Sequence, residues 1–378
     1  MKIDAKLAKN CPSPSINRRK QFVLMGLPFD FVSIAESAKL IEQAISSNKR
    51  CFLSTPNINF TIVAHEDEAF YQSVAISDLS VIDGMPLVWL AKIMGLPIME
   101  RVAGSDLFQF LSDTHRHQPI RVFFFGGEPG VAEQAHEQLN NYSKGMVSVG
   151  FYDPGFVSIE EMSQDHIIEK INASQADFVL VALGAKKGQA WIMNNMAKLN
   201  TPVISHLGAV INFLAGTVVR APEKWRKFGL EWLWRIKQEP NLWKRYVKDG
   251  WSLCWLLLTK QLPYYFVNKK YKRGMSQDNA VNWQPNTHTL FLDGCFQANN
   301  LEKVDALIST MVLANHSQLK IDLSGVSYID SAFMARLLTF QGKLNLAGSE
   351  LIVLNPKHKI KRLMSLAGVL KRFKVISG

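Results

Sequence analysis

Five stretches carry residues whose type and spacing could do chemistry. "STPNINF" places Thr55 and Asn57, and "VIDGMPLVW" places Asp83, each where an apolar run stops. A carboxylate held in a closed crevice can accept a proton as a general base. An Asp-Gly pair such as Asp83-Gly84 also suits a plain turn. "VFFFGGEPGVAEQA" and "VALGAKKGQAWI" each follow an apolar run with glycines, at Gly126-Gly127 and Gly184, and Gly208 repeats the pattern. Helix N-termini at such turns present free N–H groups and the positive end of a dipole, which suits phosphate. Glycine closes βα turns in any α/β protein, however, and neither stretch matches a Walker A or a full GxGxxG motif. The fifth stretch, "RAPEKWRKFGLEWLWRIKQEPNLWKRY", interleaves arginine and lysine with tryptophan. That mixture suits three acidic partners: nucleic acid, a membrane surface or a sugar diphosphate. GxSxG, HExxH and Asp-x-Asp are all missing from the sequence. Serine-hydrolase chemistry, zinc chemistry and a carboxylate-held divalent metal therefore have no motif to rest on, and no metal or cofactor is expected. Any phosphate falls to helix N-termini and to Arg/Lys.

These residues need elements to hold them. Strand, glycine turn and helix recur from "RCFLSTPN" through "PVISHLGAVINFLAG". That grammar predicts an α/β fold with a Rossmann-like parallel sheet covered by helices on both faces. Ligands of such sheets sit at the carboxyl ends of the strands. From about Arg220 to Arg273 the pattern becomes helical, basic and aromatic. "KRGMSQDNAVNWQPNTH" reads as a polar linker. Beyond it, "TLFLDG", "LKIDLSGVSYID" and "SELIVLN" read as strands of a second, small α/β domain, with amphipathic helices between them. The expected division is an N-terminal arm at 1–20, an α/β core at 21–218, a basic aromatic appendage at 219–273, a linker at 274–286 and the small domain at 287–378.

Composition narrows the classes. The chain has 378 residues, 47% of them hydrophobic, enough for two or three domains. The formal charge is +11, and the stretch from Arg220 to Arg273 holds 14 Lys/Arg against 4 Asp/Glu together with six of the nine tryptophans. A local block of this kind suggests a docking surface rather than a diffuse field. The four cysteines show no CxxC spacing, so a reducing compartment is expected. The polar N-terminus lacks the apolar region of a secretory signal. The apolar run from Trp251 to Leu258 is far shorter than the ~20 residues of a spanning helix. No nucleic-acid motif accompanies the basic block, so nucleic acid is not an expected partner.

Seven blocks carry a resemblance. "STPNINF", "VIDGMPLVW", "MERVAGSDL", "VFFFGGEPGVAEQA", "VALGAKKGQAWI", "GAVINFLAGTVVRAPEKW" and "GLEWLWRIKQEPNLWKRY" occur in the order and spacing of the WecG/TagA/CpsF family, glycosyltransferase family 26. The resemblance covers about residues 22–250. It implies an inverting, metal-independent hexosyltransferase that resembles N-acetylmannosaminyltransferases. Such an enzyme moves a hexose or N-acetylhexosamine from a UDP-sugar to an undecaprenyl-diphosphate-linked acceptor during assembly of bacterial exopolysaccharide or other surface polysaccharide. Asp83 matches the proposed general base, and Thr55 matches a threonine lining the same pocket. The departing diphosphate needs preorganised donors, for which Arg220, Arg235 and Arg101 are the candidates. Asn57, Gly126, Gly127, Gly184, Lys187 and Gln189 complete the expected substrate-binding set. The third glycine block departs from the family's usual G-x-P-K-Q-E-x-W. It has Lys186 for the proline and Gly188-Gln189 for the Gln-Glu pair, and Asn212 replaces an acidic residue found in many members. These departures bear on the donor sugar, because polar contacts near the donor crevice decide which sugar is accepted.

The appendage corresponds to a family segment held to cover the active site and to reach the membrane. Trp234, Trp243, Lys244, Arg245, Trp251 and Trp255 are the residues expected to meet an anionic inner-membrane surface. The resemblance implies a peripheral location on its cytoplasmic face. The end of the chain resembles a STAS domain, most specifically in "DLSGVSYIDS". In antagonists of anti-sigma factors the serine matching Ser331 can be phosphorylated. Here Ser331 is a candidate phosphosite, and it also suits a helix N-cap. A STAS domain suggests docking or regulation through a protein partner. The alternative reading is a degenerate transferase kept as a scaffold, whose STAS domain recruits partners.

Overall fold

In a computed structural model the protein is described over residues 20–273, 278–313 and 318–377. Nearly all of the expected N-terminal arm and the first part of the expected linker lie outside these residues. The chain forms two compact units. One holds the N-terminal hairpin, Ala91–Pro97 and the chain from Gly250 onward; the other holds Val32–Leu90 and Ile98–Asp249.

The hairpin is β1 (Gln21–Leu24) and β2 (Leu27–Asp30), turning through Met25 and Gly26 at positive φ. The larger unit is built on six strands: β3 (Cys51–Ser54), β4 (Leu79–Ser80), β5 (Ile120–Gly126), β6 (Met146–Tyr152), β7 (Phe178–Ala182) and β8 (Val203–His206). They lie side by side in the order β4-β3-β8-β7-β5-β6, and every pair is parallel. The expected Rossmann-like sheet is therefore present. Phe123, Phe124 and Phe125 are consecutive and all buried, as a strand covered on both faces requires. Phe125 stacks on Trp191 at 4.2 Å, which fixes the helix Ala185–Asn195 against the sheet.

The connection from β5 runs outward to β6, whereas that from β7 runs the opposite way to β8. The order reverses between β5 and β7, and in open α/β sheets this is where ligands bind. Gly126 closes that point. Its φ is +91°, and a Cβ there would lie 2.7 Å from the carbonyl oxygen of Ala182. Only glycine lets the two strand ends approach this closely.

The smaller unit holds the STAS sheet: β9 (Asn279–Gln284), β10 (Thr289–Phe296), β11 (Gln318–Ile329), β12 (Glu350–Leu354) and β13 (Lys374–Ile376). Its order is β13-β12-β11-β10-β9, parallel except for β9. The stretch expected to be a linker at 274–286 thus contributes an edge strand. Its alternating half-buried pattern is what a few apolar residues, Val281 and Trp283 among them, can support on one face. The hairpin, part of the expected core at 21–218, groups with the smaller unit, where β1 packs along the helix Ser331–Leu346 and Thr339 donates to Gln21 Oε1 at 3.1 Å. That helix is buried on nearly every side, including Phe333, Met334, Leu337, Leu338 and Phe340. Its N-cap is Asp330, not Ser331: the Asp330 carboxylate accepts from the N–H of Phe333 at 2.9 Å and of Ala298 at 2.9 Å. Ser331 is the first helical residue and is buried. Asp330 takes the cap because its backbone is extended (φ −101°, ψ −178°) just before the first turn, whereas Ser331 is already helical.

Candidate active site

The carboxyl ends of the sheet bring the candidate residues to one edge. Asp83 follows β4, Thr55 follows β3, His206 ends β8, Gly184 follows β7, and Gly126-Gly127 end and follow β5. With neighbouring strands about 4.8 Å apart, four steps from β4 to β5 span roughly 19 Å.

Asp83 is held from three sides. Its N–H donates to the carbonyl of Pro56 at 3.0 Å, after Val81 has donated to Ser54 at 2.9 Å, so the chain beyond β4 runs beside the chain beyond β3. Val102 donates to the carbonyl of Ile82 at 3.0 Å, which brings in the start of the helix Gly104–Asp113. The residue before that helix supplies no side-chain cap. The Asp83 carboxylate itself accepts from the N–H of Gly104, at the positive end of the helix dipole. Glycine at 104 leaves room for this approach: a Cβ would fall 2.5 Å from Leu207 Cδ2 and 3.4 Å from Thr55 Oγ1. Thr55 and Asp83 therefore converge on one helix start, and Thr55 is buried.

Asp83 is half-buried and keeps some solvent contact. Burial pushes its carboxyl up to about 7; Glu231 and Asp106 push the same way, against the pull of Arg101 and the Gly104 N–H. A carboxylate with that pKa is matched to proton abstraction near neutral pH.

Beside it stands an arginine cluster. Arg101 pairs with Asp106 at 2.5 Å and with Glu231 at 3.0 Å. Arg220 donates to the same Asp106 and to Ser105 Oγ at 3.0 Å, and Arg226 joins Asp106 at 2.9 Å. Three guanidinium groups thus gather on one carboxylate. Part of their donor capacity is balanced by Asp106 and Glu231, and an incoming diphosphate would compete for the rest. Arg235 does not join them: it pairs with Glu239 one turn along its own helix at 3.1 Å. Arg226, which sequence reasoning missed, takes the place expected of it. Its signal was six-residue spacing from Arg220 across a Pro-opened turn.

The other expected residues are placed as follows. Asn57 caps the helix Ile58–Glu66, accepting from Phe60 N–H at 3.1 Å, and lies beside Gly84. Lys187 donates to the carbonyl of Val157 at 2.5 Å. Gln189 is buried and donates to Ser54 Oγ at 3.2 Å, tying its helix to β3. Gly126, Gly127 (φ +105°) and Gly184 (φ +76°) hold conformations that favour glycine, and Gly127 N–H donates to Ala182 at 2.8 Å. The glycines lie along the same edge as Asp83 and Thr55, some strands away. His206 was missed as well, although a polar residue closing an apolar strand was the signal that found Thr55 and Asp83.

In the appendage, Trp234 is not presented outward. Its indole donates to the carbonyl of Val219 at 3.0 Å and packs edge-on to Trp225 at 5.7 Å. Trp243, Lys244 and Arg245 are exposed, as are Trp251 (79%) and Trp255 (66%). In the smaller unit Trp251, Trp255, Leu258, Leu262 and Phe266 are exposed at spacings of four, three, four and four along the helical run that ends at Lys272. That is one apolar stripe. Among the described residues no helix is long and apolar enough to cross a membrane.

The profile described as Glycosyl transferase WecG/TagA/CpsF family matches residues 22–266, well over half the chain. This chain belongs to the WecG/TagA/CpsF family. A second profile, described as Mlab, STAS domain, matches residues 279–376. Among curated relatives, an N-acetylglucosaminyldiphosphoundecaprenol N-acetyl-beta-D-mannosaminyltransferase of Bacillus spizizenii is 31% identical over 215 residues, 57% of this chain and 80% of that one. The enzyme of the same description from Staphylococcus aureus is 25% identical over 227 residues, 59% and 85% of the two chains. Among solved structures, an SsGBP variant matches with a TM-score of 0.20 at 15% identity, covering 68% of this chain and 90% of that one, too little to bear on fold or function. In this WecG/TagA/CpsF protein the site assembled from the sheet edge lies wholly within the family's matched span.

Proposed function

We propose that the protein is an inverting glycosyltransferase that moves a hexose or N-acetylhexosamine from a UDP-sugar to an undecaprenyl-diphosphate-linked saccharide in surface-polysaccharide assembly. The observation that carries this is Asp83: a half-buried carboxyl after β4, raised to about 7, beside an arginine cluster and on the same sheet edge as the glycine turns. The activity of the relatives from Bacillus spizizenii and Staphylococcus aureus supports the acceptor class.

In a single displacement, the acceptor hydroxyl attacks the anomeric carbon opposite the leaving UDP. Asp83 takes the hydroxyl proton as the new C–O bond forms, and the electron pair of the broken bond leaves on the diphosphate. Arg220, Arg226 and Arg101 meet the charge that develops there, through forks that can bind two oxygens at once. The reading includes no metal, in keeping with the missing Asp-x-Asp. The exposed Trp251–Phe266 stripe and its flanking lysines dock on the cytoplasmic face of the inner membrane, where the acceptor resides. The STAS domain serves docking or regulation. Buried Ser331 would become a phosphosite only if the turn that Asp330 caps opened.

The test is UDP release. It should require both a UDP-sugar and a lipid-diphosphate saccharide and should persist in EDTA. Calorimetry showing no UDP binding would favour the scaffold reading instead.

A further inference from the structure

The middle of the strand-end row carries a group that the transfer steps do not use. His206 ends β8, between Thr55 on one neighbouring strand and Gly184 on the other. It is 8% exposed, and its Nε2 is buried without a hydrogen-bond partner. An unpaired buried polar atom carries an uncompensated desolvation cost, so a fold that keeps one calls for a reason.

The ring is fitted between two glycines. A Cβ on Gly188 would lie 2.2 Å from His206 Cδ2 and 3.2 Å from Nε2, and one on Gly208 would lie 3.3 Å from Nε2. The imidazole therefore occupies the volume of a side chain at 188, the position where the family pattern usually has glutamine. Gly188 and His206 form a matched pair: one vacates the space that the other fills. Next to Gly188, Gln189 spends its amide on Ser54 Oγ, and its Oε1 is buried without a partner. Two unsatisfied groups thus flank one glycine, midway between the proposed base and the glycine turns. Burial holds the imidazole neutral, with its pKa lowered to about 4, so it brings no charge for a phosphate. It can donate or accept one hydrogen bond to an uncharged partner.

We infer that His206, with Gln189 beside it, forms a hydrogen-bonding subsite for an uncharged polar group of the nucleotide sugar and thereby recognises either the donor's sugar or its base. That group is a hydroxyl or acetamido group of the transferred sugar, or the amide edge of uracil. The inference rests on the transferase reading, since it takes the nucleotide sugar to lie along the strand-end row. A site built to pair with such a group rejects a donor that lacks it far more strongly than an apolar pocket does.

The experiment compares full-length wild type, His206→Asn and His206→Phe. It measures kcat/KM for UDP-N-acetylmannosamine, UDP-N-acetylglucosamine and UDP-glucose with a lipid-linked N-acetylglucosamine acceptor, with UDP calorimetry and thermal unfolding alongside. His206→Phe should lower kcat/KM at least tenfold for the preferred donor and by a different factor for the others, with UDP affinity kept, if the contact is to the sugar. An equal loss for all donors with a matching loss of UDP affinity marks the uracil edge. His206→Asn, which keeps a hydrogen-bonding group, should recover part of either loss. Should His206→Phe fail to fold, Gln189→Leu makes the same comparison. A folded variant with unchanged donor ratios and unchanged UDP affinity overturns the inference alone. A wild type that neither turns over any UDP-sugar nor binds UDP overturns the transferase reading and this inference with it.

Discussion

Asp83 is costly to the fold, and the proposed chemistry explains why it is kept. Its carboxyl titrates near 7 in the folded protein against an ordinary value near 3.8. Between those values the folded chain holds a proton that the unfolded chain has lost. Stability therefore falls as pH rises through that window, by up to about 4 kcal/mol at 1.36 kcal/mol per unit. Asp83→Asn should accordingly raise Tm at pH 8 and change it much less at pH 5, as differential scanning calorimetry would show. In the wild type, kcat/KM should climb as pH rises to about 7 and then level, because only the ionised carboxylate accepts the proton. Asp83 and Thr55 were legible in the sequence because each closes an apolar run. His206 closes one too, but it reads as an ordinary core histidine until Gly188 is seen against its ring. Arg226 and Asp106 were illegible for a different reason. Their partnership joins positions 120 residues apart, and no local pattern encodes it.

At the scale of elements, the site depends on where strands stop. Gly126 sits at φ +91° with its Cβ direction blocked by backbone at 2.7 Å, so neither conformation nor space admits a side chain. Gly126→Ala should destabilise by about 1–3 kcal/mol, read as a lower urea midpoint, and should weaken UDP binding in the same preparation. Strand-turn-helix grammar revealed the parallel sheet, since buried runs such as Phe123–Phe125 admit little else. It did not reveal β9, whose half-exposed residues carry a linker's composition and become a strand only by pairing with β10. Nor could it show that Asp330 rather than Ser331 caps the STAS helix. Both residue types cap well, and φ/ψ at one position decides between them. Asp330→Ala should cost about 1–2 kcal/mol, whereas Ser331→Ala should cost little, in paired thermal melts.

For the whole molecule, linear order and compact units do not coincide. The N-terminal hairpin leans on the STAS helix, and Tyr328 of β11 donates to Asn268 of the helix Leu262–Lys272. The STAS region is thus part of the structure that holds the hairpin. Truncation after residue 273 should lower Tm and promote aggregation by baring the apolar hairpin face, measurable by light scattering. If the exposed stripe is the proposed docking surface, Trp251→Glu with Trp255→Glu should release the protein from anionic vesicles in a flotation assay while leaving UDP affinity intact, since neither residue is among those proposed to hold the donor. Retained flotation would remove the stripe from the docking surface. All of this serves one claim, that Asp83 is the base of a sugar transfer. The direct measurement is UDP release by wild type and by folded Asp83→Asn at pH 8, with a UDP-sugar and a lipid-diphosphate acceptor. A drop of about 10²–10⁴-fold with UDP affinity preserved is the predicted result; full turnover in the variant would contradict it.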